Sequence, residues 1–180
     1  MVGDPELYEL AARVGQKLRA ADRRIVTAES CTAGWIAKAL TDVPGSSQWF
    51  ECGYVTYSDA AKRRDLGVAA RTLAEFGAVS ELAAREMAEG ALRVSGASVA
   101  LAVTGIAGPD GGTPEKPVGT VWFCAAARRG YTTHIIAETQ LFTGDRALVR
   151  SSAVRHALRV VLRLDLPVHP EATPHRGTSG

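Results

Sequence analysis

Three polar segments of this sequence hold residue types suited to acyl or phosphoryl chemistry. The first, Thr27-Ala28-Glu29-Ser30-Cys31-Thr32-Ala33-Gly34, follows a short β-prone run and precedes a helical one. A serine at such a junction lies near unpaired backbone N–H groups and the positive end of a helix dipole, where a nucleophile finds an oxyanion hole. The logic is that of a nucleophile elbow, although G-x-S-x-G is absent. Ser30 or Thr32 reads equally as a plain helix cap. Cys31 is a rival nucleophile, with every histidine (His134, His156, His169, His175) far along the chain in its C-terminal third.

The second segment is Tyr57-Ser58-Asp59-Ala60-Ala61-Lys62. A helix starting near Asp59 puts Ser58 and Lys62 one turn apart on one face. A lysine close to a helix N-terminus is disfavoured in its charged form, so its pKa should fall, and a neutral amine can take a serine proton. The sober alternative is a solvated lysine beside Arg63 and Arg64. Composition sharpens the question, because the chain has 17 Arg and only 4 Lys (Lys17, Lys38, Lys62, Lys116). Arginine serves wherever plain positive charge is wanted, and only lysine gives up its proton at tolerable cost. Lys17 and Lys38 fall on ordinary helix faces.

The third segment is the glycine-rich stretch Gly105 to Gly112, directly after an apolar run. Closely spaced glycines let backbone N–H groups approach an anion, though the pattern is neither Walker A nor G-x-G-x-x-G and also fits a plain multiple turn. Asp110 alone makes a poor metal site. Gly144-Asp145-Arg146 with Arg150 places two arginines on one helix face, suited to a phosphate or carboxylate or simply to solvent.

The remaining sequence bounds what these segments can belong to. The 180 residues suffice for one compact domain, with 46% hydrophobic and 22% charged residues as in ordinary globular proteins. A formal net charge of +2, without a clustered basic face, argues against a nucleic-acid partner. No apolar run approaches membrane-spanning length, and the N-terminus MVGDPELYEL carries acids where a signal peptide carries basic residues. Cys31, Cys52 and Cys124, odd in number and irregularly spaced, suit neither a disulfide framework nor a zinc site. The expectation is a reduced, cytoplasmic protein without membrane association.

Periodicity predicts helices over Pro5 to Ala21, Trp35 to Leu40, Asp59 to Leu66 (capped by Ser58 and stopped by Gly67), Glu81 to Val94 (capped by Ser80) and Arg146 to Leu164. The last should turn Leu148, Val154, Leu158, Val161 and Leu162 inward. Strands are predicted over Arg24 to Ala28, Trp49 to Tyr57 with a bulge at Gly53, and Ser98 to Val103, with Thr104 to Gly119 as loop. Thr120 to Ala127 and Tyr131 to Phe142 should form a hairpin. The fold class is therefore α/β, a single three-layer-like domain over residues 1–166 with a mostly parallel sheet, flanking helices and one antiparallel hairpin. Residues 167–180 read as a disordered tail.

Taken together, TAESCTAG (27–34), VPGSSQWFECGYVTYSDAAKRRDLGV (43–68), VTGIAGPDGGTPEKPVGTV (103–121) and FTGDRALVR (142–150) resemble the CinA C-terminal domain family. The resemblance covers residues 5 to 165, in the stand-alone form without the N-terminal domain of larger members. It implies hydrolysis of the carboxamide of nicotinamide mononucleotide (NMN) to nicotinate mononucleotide and ammonia, without metal or organic cofactor. By motif it implies Ser30 as nucleophile and Lys62 as base, with Tyr57, Thr104 and Ser47 as polar residues of the active site. Cys31, Gly105, Gly108, Gly111 and Arg146 are the corresponding substrate-binding candidates, Arg146 for the phosphate. A homo-oligomer, in the simplest case a dimer, is implied as well. The sequence departs from the family pattern at Ala33, where a second glycine is common, at Cys52, often glycine, and at Asp59, usually asparagine. An extra carboxylate at Asp59 should raise the Lys62 pKa. Two other readings stay open: a nucleotide-binding or regulatory module that has lost turnover, and an interaction protein linked to competence or DNA damage.

Overall fold

A computed structural model describes residues 4–166, so the predicted tail at 167–180 lies outside the described residues. The apolar runs at 25–29, 50–55 and 99–105 become β1 (Ile25–Glu29), β2 (Phe50–Val55) and β3 (Val99–Gly105), followed by β4 (Thr120–Arg129) and β5 (Thr132–Leu141). They form one sheet in the order β2-β1-β3-β4-β5. β1 is parallel to both β2 and β3, and β4 is antiparallel to β3 and to β5. Four strands thus point one way, and the predicted hairpin is β4–β5.

The fully buried β1 and the nearly buried β3 leave both sheet faces to be covered. One face packs on α1 (Pro5–Ala20), α2 (Trp35–Thr41) and α6 (Arg146–Arg163), through Leu10, Val14, Leu40, Leu101, Phe123 and Leu158 among others. The opposite face packs chiefly on α5 (Glu81–Ser95), with α3 (Asp59–Leu66) and α4 (Ala70–Phe76) lying beside it; Val26, Leu66, Met87, Leu92 and Cys124 fill that layer. The three-layer α/β expectation holds. α3 approaches α5 so closely that a Cβ at Gly90 would lie 1.9 Å from the Leu66 carbonyl oxygen, so only glycine fits there.

Several local expectations are corrected. The β2 irregularity lies at Glu51, where the register with β1 shifts, and not at Gly53, which pairs regularly with Thr27. Gly53 is instead a close-approach site, since a Cβ there would come within 2.8 Å of Thr27 Oγ1. Leu148 points outward at 51% exposure, because the buried face of α6 runs through Val149, Ala153 and Val154, and Leu148 falls to the side of it. α4 was not anticipated: it has seven residues, no capping side chain and only Thr72 buried, so no apolar stripe announces it.

Ala33 adopts φ +52° immediately before Gly34 at φ +87°. An L-residue in the left-handed region costs about 1–2 kcal/mol, only partly offset by the lower unfolded-state entropy of alanine. Ala33→Gly is therefore expected to stabilise the fold by about 0.5–1 kcal/mol, read as a higher urea midpoint at unchanged m-value.

Candidate active site

Register sets the site. Glu29 of β1 aligns with Val55 of β2 and Val103 of β3, so the next residue of each strand (Ser30, Thr56, Thr104) emerges at one level on the carboxyl edge of the sheet. The ladder extends into this layer, with Thr56 N–H donating to Glu29 O at 2.9 Å and Ser30 N–H to Val103 O at 3.0 Å. Open parallel sheets place their ligands at such edges. Here the edge opens into a cavity of about 260 Å³ lined by Ser30, Cys31, Tyr57, Lys62, Thr104, the Gly105–Gly111 loop and Arg146.

Lys62 reaches this layer because Ser58 starts α3 at the end of β2, its Oγ accepting from Ala61 N–H at 3.1 Å as a helix cap. One turn later the lysine points back under the strand ends and is only 1% exposed. Its Nζ lies 3.0 Å from Ser30 Oγ, 2.9 Å from Thr56 O and 3.3 Å from Tyr57 O. A neutral amine donates two hydrogens and accepts one. The ammonium donates to all three oxygens; on losing a proton it keeps hydrogens for the two carbonyls and turns its lone pair to the Ser30 hydroxyl. Burial lowers the Lys62 pKa from the ordinary 10.5, opposed by the attraction of the Asp59 carboxylate. The direction matches the sequence expectation, but the cause is desolvation. Since the folded-state pKa is the lower one, the unfolded chain binds more protons between the two values, and stability from this group grows as pH rises through that window.

Asp59→Asn removes the opposing attraction, so the Lys62 pKa should fall further. The limb of the rate profile that rises with deprotonation should then move to lower pH. Added salt should move the wild-type limb the same way by screening exposed Asp59, and should leave the variant nearly still. A pH–kcat profile at two ionic strengths checks both.

Glu29 was missed as a site residue. It is fully buried, and its carboxylate accepts from the N–H groups of Gly34 (3.0 Å), Ile36 (3.0 Å) and Ala37 (2.8 Å). This narrows the expected oxyanion hole, the N–H of Ser30 or Cys31 at the helix start, to one donor. The helix starts at Trp35 and its N-terminal donors are taken by Glu29, while Ser30 N–H is held by Val103. The Cys31 N–H, by contrast, donates to no oxygen among the described residues. Glu29→Ala leaves three donors unpaired, that of Ile36 buried and those of Gly34 and Ala37 part-buried, and is expected to cost about 2–3 kcal/mol, read by urea unfolding.

Thr104 is buried, and its hydroxyl donates to Ala78 O at 2.8 Å, tying the loop before α5 to the end of β3. Arg146, in the first turn of α6, donates to Tyr57 Oη at 2.9 Å and to Gly108 O at 2.8 Å, linking three walls of the cavity. Gly108 at φ +80° packs on Val118, and the N–H groups of Ala107, Gly108, Asp110 and Gly111 donate to no other group among the described residues. Ser47 is not brought into this cluster. It lies before β2 at the opposite edge, about 16 Å away at five strand residues, with its carbonyl accepting from Arg24. Arg150 lies outside the cavity wall, against the Ser30 turn. The Cys31 thiol, buried, is pushed up to about 11, which leaves it almost wholly protonated near neutrality. The other lysines are accounted for: Lys17 and Lys116 bond the carbonyls of Leu162 and Phe76, and Lys38 pairs with Asp42. Among the described residues no group of three metal-ligating side chains occurs, and no helix is long and apolar enough to cross a membrane.

A buried serine–lysine pair under a glycine-rich loop, at the carboxyl ends of parallel strands, is an arrangement suited to acyl transfer. The chain belongs to the CinA C-terminal domain family, whose model matches residues 7–164. It is 52% identical over 158 residues to the nicotinamide-nucleotide amidohydrolase PncC of Escherichia coli K12, covering 88% of this chain and 94% of that protein. The PncC of Pseudomonas putida is 50% identical over 161 residues, 89% and 98% of the two chains. A putative competence-damage inducible protein of Symbiobacterium thermophilum is 54% identical over 159 residues, but this match covers only 37% of that longer protein. Among solved structures, the competence/damage inducible protein CihA of Agrobacterium tumefaciens superposes with a TM-score of 0.85 at 43% identity, over 90% of this chain and 97% of that one.

Proposed function

We propose that this enzyme hydrolyses the carboxamide of NMN to nicotinate mononucleotide and ammonia through an acyl-enzyme on Ser30, with Lys62 as general base and acid. The observation that carries the reading is the 3.0 Å contact between Ser30 Oγ and a buried Lys62 whose other neighbours are two carbonyls. Close similarity to two nicotinamide-nucleotide amidohydrolases along nearly the whole chain supports the substrate class.

The pyridinium ring withdraws electrons from its carboxamide and makes the carbonyl carbon electrophilic. Ser30 Oγ bonds to that carbon while its proton passes to Lys62 Nζ, and the carbonyl electron pair moves to the oxygen, facing the Cys31 N–H. The Lys62 proton then goes to the departing nitrogen, which leaves as ammonia. Water attacks the ester and gives one proton to Lys62, the serine recovers that proton as the acid product departs, and the product's own carboxyl proton is lost to solvent to leave the carboxylate. Arg146 and the unpaired N–H groups of the glycine loop hold the phosphate, a remote handle that positions the amide. Tyr57 and Thr104 fix Arg146 and the cavity wall. The reaction asks for no metal or organic cofactor. A homo-oligomer goes with this reading on the family resemblance.

Ammonia release from NMN by the purified protein tests the proposal. Stoichiometric ammonia and nicotinate mononucleotide are expected. Binding of NMN without ammonia would return the protein to the binding-module reading.

A further inference from the structure

The turn that carries Ser30 has little internal support. After Ser30 N–H bonds to Val103 O, only the bonds from Ala33 N–H to Ser30 O and from Trp35 N–H to Thr32 O lie inside it. Two consecutive residues, Ala33 and Gly34, sit in the left-handed region. The carbonyls of Cys31 and Thr32 turn away from the cavity, and both are taken by one side chain 119 and 118 residues along the chain: Arg150 Nε donates to Cys31 O at 3.0 Å and its terminal nitrogen to Thr32 O at 3.2 Å. The guanidinium is itself fixed, lying 5.7 Å over the Trp35 ring. A planar fork spanning two successive carbonyls sets the orientation of the two peptides that carry them, 31–32 and 32–33, which a point charge does not. The first of these adjoins the peptide bearing the Cys31 N–H; Cys31 lines the cavity, and its N–H has no oxygen partner among the described residues.

We propose that Arg150 is a positioning residue for the reaction: it pins the Ser30–Thr32 turn from behind through the Cys31 and Thr32 carbonyls and so aims the Cys31 N–H at the oxygen that becomes negative when Ser30 attacks. Arg150 touches neither substrate nor reacting atoms. Its contribution belongs to the tetrahedral state and not to substrate binding, and it rests on Ser30 being the nucleophile. Arg146, one turn earlier on α6, faces the cavity, so a single helix addresses the site from within and from behind.

Arg150→Met keeps an aliphatic stem against Trp35 and removes the fork, and Arg150→Lys keeps the charge without spanning both carbonyls. For each, kcat and KM for NMN are measured, together with the Ki of the NMN analogue bearing an aldehyde in place of the carboxamide. The aldehyde accepts Ser30 Oγ and develops the same oxyanion. Both variants are expected to lose kcat by roughly 100-fold, the scale of a misplaced reacting group, with KM unchanged and Ki raised by a similar factor. A loss carried by KM, an unchanged Ki, or wild-type kcat in Arg150→Lys would overturn the proposal. A destabilised turn without the positioning role would lower the melting temperature and leave kcat per folded molecule intact, which also overturns it. Full turnover by Ser30→Ala in the same assay would instead remove the reading on which the proposal rests.

Discussion

Lys62→Arg is expected to fold, to bind NMN and to turn it over at least about 10³-fold more slowly than the parent chain, the scale of losing a positioned general base. The substitution keeps a positive charge and donors for Thr56 O and Tyr57 O, the two carbonyls that orient the amine. It removes the ability to be neutral, because a guanidinium keeps its proton where burial pushes an ammonium to release one. Lys62 is fully enclosed and the longer side chain must be accommodated. Lys62→Met, close in volume and also without a titrating group, therefore accompanies it. Steady-state ammonia release with NMN binding measured by calorimetry separates lost chemistry from lost binding. Near-normal turnover by either variant would remove Lys62 as the base.

Ser30→Ala should have the largest effect, about 10⁴-fold or more in kcat, with NMN binding retained. The side chain is small, its backbone N–H remains bonded to Val103 O, and Lys62 keeps both carbonyl partners, so the fold should be little disturbed. The two neighbouring candidates give contrasting expectations. Ser58 spends its hydroxyl on capping α3, so Ser58→Ala should cost about 1 kcal/mol of stability and leave the dyad in place. Cys31 is buried with its thiol pushed up to about 11 and no histidine in the cavity lining, so Cys31→Ala should remain active.

Much of this site was legible because strand ends can be read from a sequence. Apolar runs that stop at TAES, TYSD and VTGI announce three polar junctions, and parallel pairing of the three runs brings Ser30, Thr56 and Thr104 level. The scarcity of lysine, four in a chain that otherwise spends arginine, pointed to Lys62 with Lys17 and Lys38 on ordinary helix faces, and its burial gives the physical reason. What was not legible depends on contacts between segments. Glu29 looks like any acid at a strand end. The available hint was indirect, since α2 follows Ala33-Gly34 and has no side chain at its own N-cap, so its donors must be satisfied from elsewhere. The oxyanion expectation is narrowed for the same reason: of the Ser30 and Cys31 N–H groups only the second stays free of Val103, and the helix N-terminus behind them is occupied by a buried carboxylate. Ser47 shares the family motif with the site residues, yet chain direction carries it to the opposite sheet edge. Arg150 was recognised as a charge on the right helix, but its acceptors lie 119 and 118 residues away, a spacing that no local pattern encodes.

The most direct test of the Ser30–Lys62 account is to mix the enzyme with saturating NMN, quench it in acid on the millisecond scale, and locate the acylated residue by peptide fragmentation. The account predicts a nicotinoyl-nucleotide ester on Ser30, formed with ammonia release and absent from both Ser30→Ala and Lys62→Arg. An adduct on Cys31 or Ser58, or an adduct that persists in Ser30→Ala, would contradict it.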